Sequence, residues 1–266
     1  MKRLLRRAYE FLVLFGIDPR KTLRTLRGLP FYFRDLRTLK RQMAGSGTTA
    51  FPFGRSFPCL EDKFADGGVA GGHYFHQDLL VARRIHLNRP VRHVDVGSRV
   101  DGFVAHVAAF REIEVIDIRP LPDTLPHVRF LQADLMKPLA AGLVESTDSV
   151  SCLHAMEHFG LGRYGDPVHS DGHLLGLDNL HRLLKPDGKL YFSVPIGPQR
   201  IEFNAHRVFS IASLRQLFED RYRIDQFSYV DDAGSLHENV PFSDAGTDDN
   251  FGCRFGCGIF EMTRVR

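Results

Sequence analysis

The stretch that decides the fold is VRHVDVGSRVDG, which covers residues 91–102. It begins with an apolar run of the length and composition of a buried β-strand, and a helical pattern follows over about residues 102–110. Gly97 falls in the turn between them, where the lack of a Cβ lets the backbone approach a ligand closely. A strand, a glycine-containing turn and a helix in this order bring backbone N–H groups to a ligand. The sequence therefore predicts a ligand-binding α/β unit here.

The alternation of strands and helices continues along the chain. Strands are predicted at 91–96, 112–118, 128–133, 149–153 and 189–195 and, from weaker patterns, at 223–229 and 258–263. Helices are predicted at about 102–110, 172–184 and 211–219. This pattern predicts a Rossmann-like, doubly wound α/β fold with a mostly parallel, seven-stranded sheet.

The N-terminal part carries the basic character. Residues 1–41 hold 12 Lys/Arg against 3 Asp/Glu, a net charge of +9, whereas the remaining residues hold 23 against 29, a net charge of −6. Two basic amphipathic stretches lie here, at 2–15 and 21–41. They are typical either of a segment on an anionic membrane surface or of a helical appendage with solvated arginines. Because the rest of the chain is acidic, no nucleic-acid partner is expected.

These patterns divide the chain into three predicted parts. Residues 1–43 form a basic amphipathic helical extension, residues 44–88 a linker and cover segment with a helix at 73–87, and residues 89–266 the α/β domain.

The cysteines suggest no disulfide framework and no metal site. There are four, Cys59, Cys152, Cys253 and Cys257. A reducing compartment fits this number, and the lone C-x3-C of Cys253 and Cys257 lacks the second pair of a typical zinc site. No apolar run reaches the roughly 18–20 residues of a membrane span. The expected location is the cytoplasm, either free or peripheral on the inner face of the membrane.

Six residues at or near the ends of the first three strands are candidates for contacting a cofactor: Asp95, Gly97, Ser98, Gly102, Asp117 and Asp134. Asp95 is placed to meet the amino-acid portion of a nucleoside-containing cofactor. Asp117 lies 20 residues after Gly97, where an acidic side chain accepts hydrogen bonds from ribose hydroxyls. Asp134 is placed to meet an adenine amino group. Each of them alone would also serve as a turn former or helix cap, so the prediction depends on their order and spacing.

In this order, the motifs resemble those of class I S-adenosylmethionine-dependent methyltransferases. Residues 73–210 most closely resemble a bacterial and nematode family known as domain of unknown function 268. The matching stretches are GHYFHQDLLVARRI, HVDVGSRVDGFVAH, EHFGLGRYGDP, LLKPDGKL and NAHRVFS. The resemblance implies S-adenosyl-L-methionine as cofactor and a class I methyltransferase-like domain over residues 89–266.

One departure concerns the cofactor turn. The G-x-G of these methyltransferases is Gly97-Ser98-Arg99 in this chain. The loop must therefore take a different path, or Arg99 must point outward. An arginine here would also suit a carboxylate or a phosphate.

Methyl transfer to a hydroxyl needs alignment and a base that removes the proton. His158 is the first candidate base, Glu157 is either the base or the residue that orients His158, and His206 is the second choice. Otherwise His158 caps the following loop. His154 to His158 also match the H-x-x-E-H of zinc proteases, but that chemistry needs the motif on a helix, and here it spans a strand end and a turn.

Five residues are candidates for binding the acceptor: Arg163, Tyr164, Asp166, Asn204 and Arg207. The first three lie in the glycine-rich loop 160–167, which lacks the G-K-[ST] ending of a phosphate-binding loop. The arginine suits an anionic group, the tyrosine a sugar ring or hydroxyl, and the aspartate a sugar hydroxyl. Alternatively, the loop is a structural turn that sets up the next helix.

The predicted function is O-methylation of a sugar or of a glycan or lipid-linked glycan precursor. One alternative is a catalytically inactive, methyltransferase-like binding or scaffolding protein, which the Arg99 substitution favours. A second is a nicotinamide-dependent oxidoreductase, against which the missing G-x-G-x-x-G argues. A divalent metal held by His158, Asp166 or His206 is left as a further alternative.

Overall fold

A computed structural model describes residues 2–46 and 51–265. The described chain forms two compact units, which divide between Val69 and Ala70. Residues 47–50 of the predicted linker lie outside the described residues.

The first unit contains two helices, α1 (Lys2–Leu14) and α2 (Pro19–Ser46), and a single 3-10 turn at Asp62–Phe64. The basic helical extension predicted from the sequence is therefore confirmed. α2 continues through Gly28 and Pro30, although glycine and proline disfavour a helix interior. Gly28 is buried because the segment near Leu60 packs directly on it: an added Cβ would lie 2.0 Å from the Leu60 carbonyl oxygen.

The second unit is an α/β domain. Its strands are β1 (His93–Val96), β2 (Ile113–Asp117), β3 (Val128–Gln132), β4 (Thr147–Leu153), β5 (Leu184–Ile196), β6 (Arg200–Glu202), β7 (His206–Val208), β8 (Tyr222–Val230), β9 (Leu236–His237) and β10 (Gly256–Arg264). Its helices are α3 (His73–Asn88), α4 (Ala105–Ala108), α5 (Gly172–Leu183), α6 (Ile211–Phe218) and α7 (Asp244–Asp248).

Eight of these strands form one sheet in the order β3-β2-β1-β4-β5-β10-β8-β9. The first five are parallel, and β10 runs antiparallel between β5 and β8. The predicted doubly wound, mostly parallel fold is confirmed, but the prediction of seven strands is wrong. The eighth strand, β9, spans only two residues, too few to show an alternating pattern in the sequence.

Helices cover both faces of the sheet, and a separate hydrophobic cluster lies under each set. Leu177 and Leu180 of α5 belong to one cluster, together with Leu214 of α6. Val81 and Ile85 of α3 belong to the other. This layering leaves the sheet edges at the strand ends as the place for a ligand.

The chain changes direction across the sheet at β1. From β1 it proceeds outward through β2 and β3, and it then returns to β4 on the other side of β1. In doubly wound sheets, ligands bind in the crevice at the carboxyl ends of the strands at such a switch point. A ligand is therefore expected to bind at the loops that follow β1, β2, β3 and β4.

Candidate active site

A cavity of about 500 Å³ lies at the carboxyl ends of β1–β4. This volume falls within the range of roughly 300–1,000 Å³ typical of small-molecule sites. Gly97, Asp117 and Asp134 follow or end three successive strands and all line it. Ser98, His158, Arg163, Tyr164 and Asp166 line it too. The structure thus brings eight of the predicted site residues to one cavity.

The turn after β1 is built around Gly97 and the buried carboxylate of Asp95. Gly97 has φ +76°, and an added Cβ would lie 2.8 Å from the Ala155 Cβ. Asp95 does not line the cavity. Its oxygens accept hydrogen bonds from the backbone N–H of Ser98 (3.0 Å), the Ser98 hydroxyl (2.8 Å) and the Ser151 hydroxyl (2.5 Å). Asp95 therefore fixes the backbone path of the turn without lining the cavity itself.

Burial raises the pKa of Asp95 to about 7, although the hydrogen bonds from Ser151 and Ser98 oppose that shift. The nearby carboxylate of Asp117 acts in the same direction as burial. The turn is therefore held by a carboxyl group that gains a proton near neutral pH.

Arg99 is one of the residues that line the cavity, and its side chain extends into solvent. Its side chain is 67% exposed, and its guanidinium is paired with the Asp101 carboxylate, with Nη2 2.7 Å from Oδ2. Of the two arrangements left open by the sequence, the structure therefore has the outward-pointing side chain.

The segment after Arg99 is not the helix predicted from residue 102. Residues Val100–Val104 form a wider π-helical turn, and the α-helix begins only at Ala105. The reason is Gly102, whose φ of −128° and ψ of −112° break the helical geometry. Gly102 packs on α3, where an added Cβ would lie 3.0 Å from Asp78 Oδ2, and it lines a smaller neighbouring cavity instead.

Asp117 ends β2, and its carboxylate is already engaged. Arg119 donates to it three times: its backbone N–H and its Nε to Oδ1 at 2.8 and 3.0 Å, and its Nη2 to Oδ2 at 2.6 Å. The Arg119 guanidinium also lies 4.4 Å from the centre of the Tyr164 ring. Arg119 thus connects the end of β2 to the loop after β4. The only trace of it in the sequence is its place two residues after Asp117.

Asp134 follows β3 in a tight turn. Its Oδ1 accepts a hydrogen bond from the Met136 N–H at 2.9 Å. The neighbouring Ala133 N–H donates to the Asp117 carbonyl oxygen at 3.0 Å, which holds the ends of β2 and β3 together. The two acidic side chains are therefore placed along the same cavity wall.

His158 also lines the cavity and lies in a single 3-10 turn at Met156–His158. Its Nδ1 is 2.6 Å from the Ala205 carbonyl oxygen, which can only accept, so Nδ1 carries the proton and Nε2 is left with a lone pair. Burial lowers the pKa of His158 below its ordinary value, against the opposing charge of Glu157. The geometry leaves a neutral imidazole, whose ring is perpendicular to that of Tyr164 with 5.2 Å between the ring centres.

Glu157 is buried and does not line the cavity. Its Oε1 lies 2.6 Å from His154 Nδ1 and 3.7 Å from His158 Nε2. Burial disfavours its charge, but the imidazole of His154 holds the pKa of Glu157 below its ordinary value. The H-x-x-E-H sequence forms a strand end followed by one turn, so the helical geometry of a zinc protease is absent from these residues.

The loop at residues 160–167 is organised by Asp166. Its carboxylate accepts from the N–H groups of Gly160, Gly162 and Tyr164 at 2.8–3.1 Å. These bonds engage both carboxylate oxygens. Asp166 therefore stabilises the loop, as expected if the loop is a structural turn. Arg163 and Tyr164 remain at the cavity.

Besides Asp95, Gly102 and Glu157, three more predicted site residues do not line the cavity. Asn204 is exposed in the turn between β6 and β7. His206 is paired with Glu202, with 3.1 Å between His206 Nε2 and Glu202 Oε2. Arg207 is buried, and it donates to the carbonyl oxygens of Phe159 at 2.6 Å and Ser170 at 3.1 Å. Arg207 therefore stabilises the loop behind the cavity.

Tyr74 and His154 are two further cavity residues, besides Arg119, that the sequence does not predict. Tyr74 carries no motif, because it belongs to an ordinary amphipathic helix. His154 forms part of the H-x-x-E-H motif, which was set aside for its lack of a helix. His158, Asp166 and His206, the alternative metal ligands, do not form a group that could hold a metal. Within the described part of the chain, one such group exists, and it consists of His73, His154 and Cys257.

The family described as "Caenorhabditis protein of unknown function, DUF268" matches residues 130–239. The match bears out the resemblance found in the sequence. No curated protein matches the chain.

Solved structures show which fold this is. The 1,6-didemethyltoxoflavin-N1-methyltransferase of Burkholderia thailandensis is 16% identical over 88% of this chain and 89% of that one, with a TM-score of 0.51. The second unit has the class I methyltransferase fold. The [4+2]-cyclase SpnF, 14% identical over 71% of this chain and 81% of that one, has the same fold at a TM-score of 0.50. At 16% and 14% identity, this similarity establishes the fold and does not establish the activity.

Proposed function

We propose that this protein is an S-adenosylmethionine-dependent methyltransferase of the EC 2.1.1 class that acts on a small-molecule acceptor. The observation that carries the proposal is the convergence of Gly97, Asp117 and Asp134 on a single cavity at the topological switch point. The Burkholderia thailandensis methyltransferase of the same fold was crystallised with S-adenosylhomocysteine.

The chemistry of the lining suits an adenosyl group. In the proposed complex the Asp117 carboxylate accepts hydrogen bonds from the ribose hydroxyls, and the Asp134 carboxylate accepts one from the adenine amino group. Gly97 and Ser98 pass close to the amino-acid portion, with Asp95 holding their turn in place. To bind the ribose, the Asp117 carboxylate must give up some of its hydrogen bonds with the Arg119 guanidinium and accept hydrogen bonds from the ribose hydroxyls instead.

When bound, S-adenosylmethionine supplies a methyl group on a sulfonium centre. The protein's part is to align an acceptor and to remove its proton. His158 suits the second task, because it lines the cavity and its Nδ1 proton is held by the Ala205 carbonyl, which leaves Nε2 unprotonated. Glu157 acts as a positioning residue for the histidines on either side of it.

We further propose that the acceptor is a hydroxyl of a sugar or of a glycan or lipid-linked glycan precursor. Arg163 supplies a cation and Tyr164 an aromatic ring with a hydroxyl, and both line the cavity near His158. An aromatic ring and a cation suit a sugar that carries an anionic group.

Residues 1–41 are proposed to hold the enzyme at an anionic membrane surface on the cytoplasmic side. Their net charge is +9, and α1 exposes Leu5, Phe11 and Leu14. Basic residues combined with exposed apolar side chains are what an interfacial helix requires. No helix among the described residues is long and apolar enough to cross a membrane.

A second candidate function is a methyltransferase-like binding or scaffolding protein. The observation in its favour is the bidentate Arg119–Asp117 pair, which engages the carboxylate needed for the ribose. The same fold also serves SpnF, a [4+2]-cyclase.

The two candidates differ in turnover. We would incubate the full-length protein with trideuteromethyl S-adenosylmethionine and cell extracts rich in sugars and glycolipids. Mass spectrometry would then search for products with the mass of one added label. An enzyme yields at least one labelled product, which the His158→Ala variant fails to make. Cofactor binding without any labelled product would contradict methyl transfer and favour the binding protein.

A further inference from the structure

Three potential metal ligands meet beside the cavity, although they are far apart in the sequence. His73 is the first residue of α3, His154 follows β4, and Cys257 lies in β10. Their nitrogen and sulfur donor atoms all lie within 4.8 Å of one another. All three belong to the second unit.

His154 has an unused donor position that points to a ligand. It is only 8% exposed, and its Nδ1 lies 2.6 Å from the buried Glu157 carboxylate. Its Nε2 is fully buried and has no hydrogen-bond partner among the described residues. A buried nitrogen without a partner is costly, so such an atom calls for a ligand.

The pairing of His154 with Glu157 is the arrangement expected around a metal-bound histidine. Histidines that bind a metal through one nitrogen usually give the other N–H to a carboxylate or a carbonyl. Here the carboxylate fixes Nδ1 as the protonated nitrogen and leaves Nε2 to coordinate. His73 likewise has a hydrogen bond to the backbone of Phe255.

The sulfur of Cys257 completes the set. Cys257 is fully buried and takes part in no disulfide. Its sulfur lies 3.8 Å from the Gln77 side-chain oxygen, which already accepts from the Ser193 hydroxyl, and it also interacts with the His154 imidazole. The hydrogen bonds from this thiol to oxygen acceptors are long, at 3.8 and 3.9 Å, so they do not hold the sulfur strongly.

We propose that His73, His154 and Cys257 bind one Zn²⁺ ion. Two nitrogens and one sulfur are ligands that zinc prefers, and three protein ligands leave a fourth position open. Binding displaces the thiol proton into solvent, so a thiolate faces the cation. Ideal tetrahedral coordination puts the donor atoms about 3.3–3.6 Å apart, so small side-chain adjustments bring these three residues onto one ion.

The site lies at the wall of the proposed active site. His154 lines the main cavity together with Tyr74, whose ring it contacts, so the proposed zinc site lies directly beside that cavity. The proposal does not depend on methyl transfer, because it rests on the ligand geometry alone.

Cobalt substitution tests the proposal in the full-length protein. The protein is stripped with a chelator and titrated with Co²⁺, and the absorption spectrum is recorded. We expect one equivalent to give a thiolate-to-cobalt charge-transfer band and the strong visible bands of tetrahedral cobalt, both lost on addition of Zn²⁺. Absence of the charge-transfer band in the wild type would overturn the site.

Variants identify the ligands. Cys257→Ala should abolish the charge-transfer band and weaken zinc binding by about 100-fold or more. Cys253→Ala is the matched control, since Cys253 is also buried but lies outside the group, and it should keep the band. If Cys257→Ala does not fold, zinc-edge X-ray absorption of the wild type decides instead. One sulfur and two imidazole nitrogens in the first shell support the site, and a shell without sulfur rejects it.

Discussion

The Arg119 guanidinium pairs with the Asp117 carboxylate in a bidentate geometry, with Nη2 2.6 Å from Oδ2 and Nε 3.0 Å from Oδ1. The same guanidinium packs on the ring of Tyr164. The residue proposed to bind the ribose is therefore tied to the loop proposed to bind the acceptor. Cofactor binding and the position of that loop should depend on each other.

Removing this arginine should strengthen cofactor binding. In Arg119→Ala the Asp117 carboxylate no longer exchanges an ion pair for the ribose hydroxyls, and affinity for S-adenosylhomocysteine should rise several-fold, equivalent to about 1 kcal/mol. Isothermal titration calorimetry measures the change. Arg129→Ala, which breaks the exposed pair with Glu112, is the control and should change nothing. A loss of affinity in Arg119→Ala would instead make Arg119 a cofactor ligand.

Asp95 should give the protein a distinctive pH dependence. Because burial raises its pKa from 3.8 to about 7, its contribution to stability is full below the unfolded value and is lost as pH rises through about 7. The free energy of unfolding of the wild type relative to Asp95→Asn should therefore fall between pH 4 and pH 7, by an amount on the order of 4 kcal/mol.

Urea unfolding at several pH values gives this difference directly. Asp101→Asn is the control, since Asp101 is exposed and paired only with Arg99 in the same loop. A constant difference between wild type and Asp95→Asn across that range would contradict the buried, protonatable carboxyl.

His158→Gln should reduce turnover by about 10²–10⁴-fold while leaving cofactor affinity unchanged. In the wild type, kcat/KM should fall as pH drops through a pKa below 6.5, because burial lowers the pKa of His158 and protonation removes the base. Steady-state rates over pH check both points. His86→Gln, on the exposed side of α3, should behave as wild type. Loss of cofactor binding together with turnover would make His158 a structural residue.

The basic extension should bind anionic vesicles. Sedimentation with phosphatidylserine vesicles should pellet the protein at low salt and release it at high salt, because the attraction is electrostatic and screened. Neutral phosphatidylcholine vesicles serve as the control. Replacing Arg6, Arg7 and Lys21 with glutamine should weaken the binding. Equal binding to both kinds of vesicle would contradict the electrostatic part of the proposal.

The sequence was sufficient for features that depend on local patterns. The strands that precede Gly97, Asp117 and Asp134 each show an apolar run followed by a polar turn, and parallel pairing then brings their ends together. Contacts between distant segments left no such signal. Arg207 looks like a site residue by its place after β5, yet it binds carbonyl oxygens 37 and 48 residues earlier in the chain.

Contacts between distant segments also explain why the sequence does not predict several features near the cavity. Cys257 and His73 are joined only by the tertiary fold, and the C-x3-C spacing drew attention to Cys253 as the partner instead. β9 is too short for a periodic pattern. Gly102 has the place of a helix-starting glycine but adopts a non-helical conformation against α3. Sequence patterns predict which residues reach an edge of the sheet, whereas packing decides which of them face the cavity.

The central claim is that Asp117 binds the ribose of S-adenosylmethionine within the cavity next to Gly97. Calorimetric titration of the wild type and of Asp117→Asn with S-adenosylmethionine measures it. The wild type should bind one equivalent, and the variant should bind about 10- to 100-fold more weakly, as the loss of charge-assisted hydrogen bonds requires. Equal affinity in both proteins, or no heat of binding to the wild type at millimolar cofactor, would contradict the account.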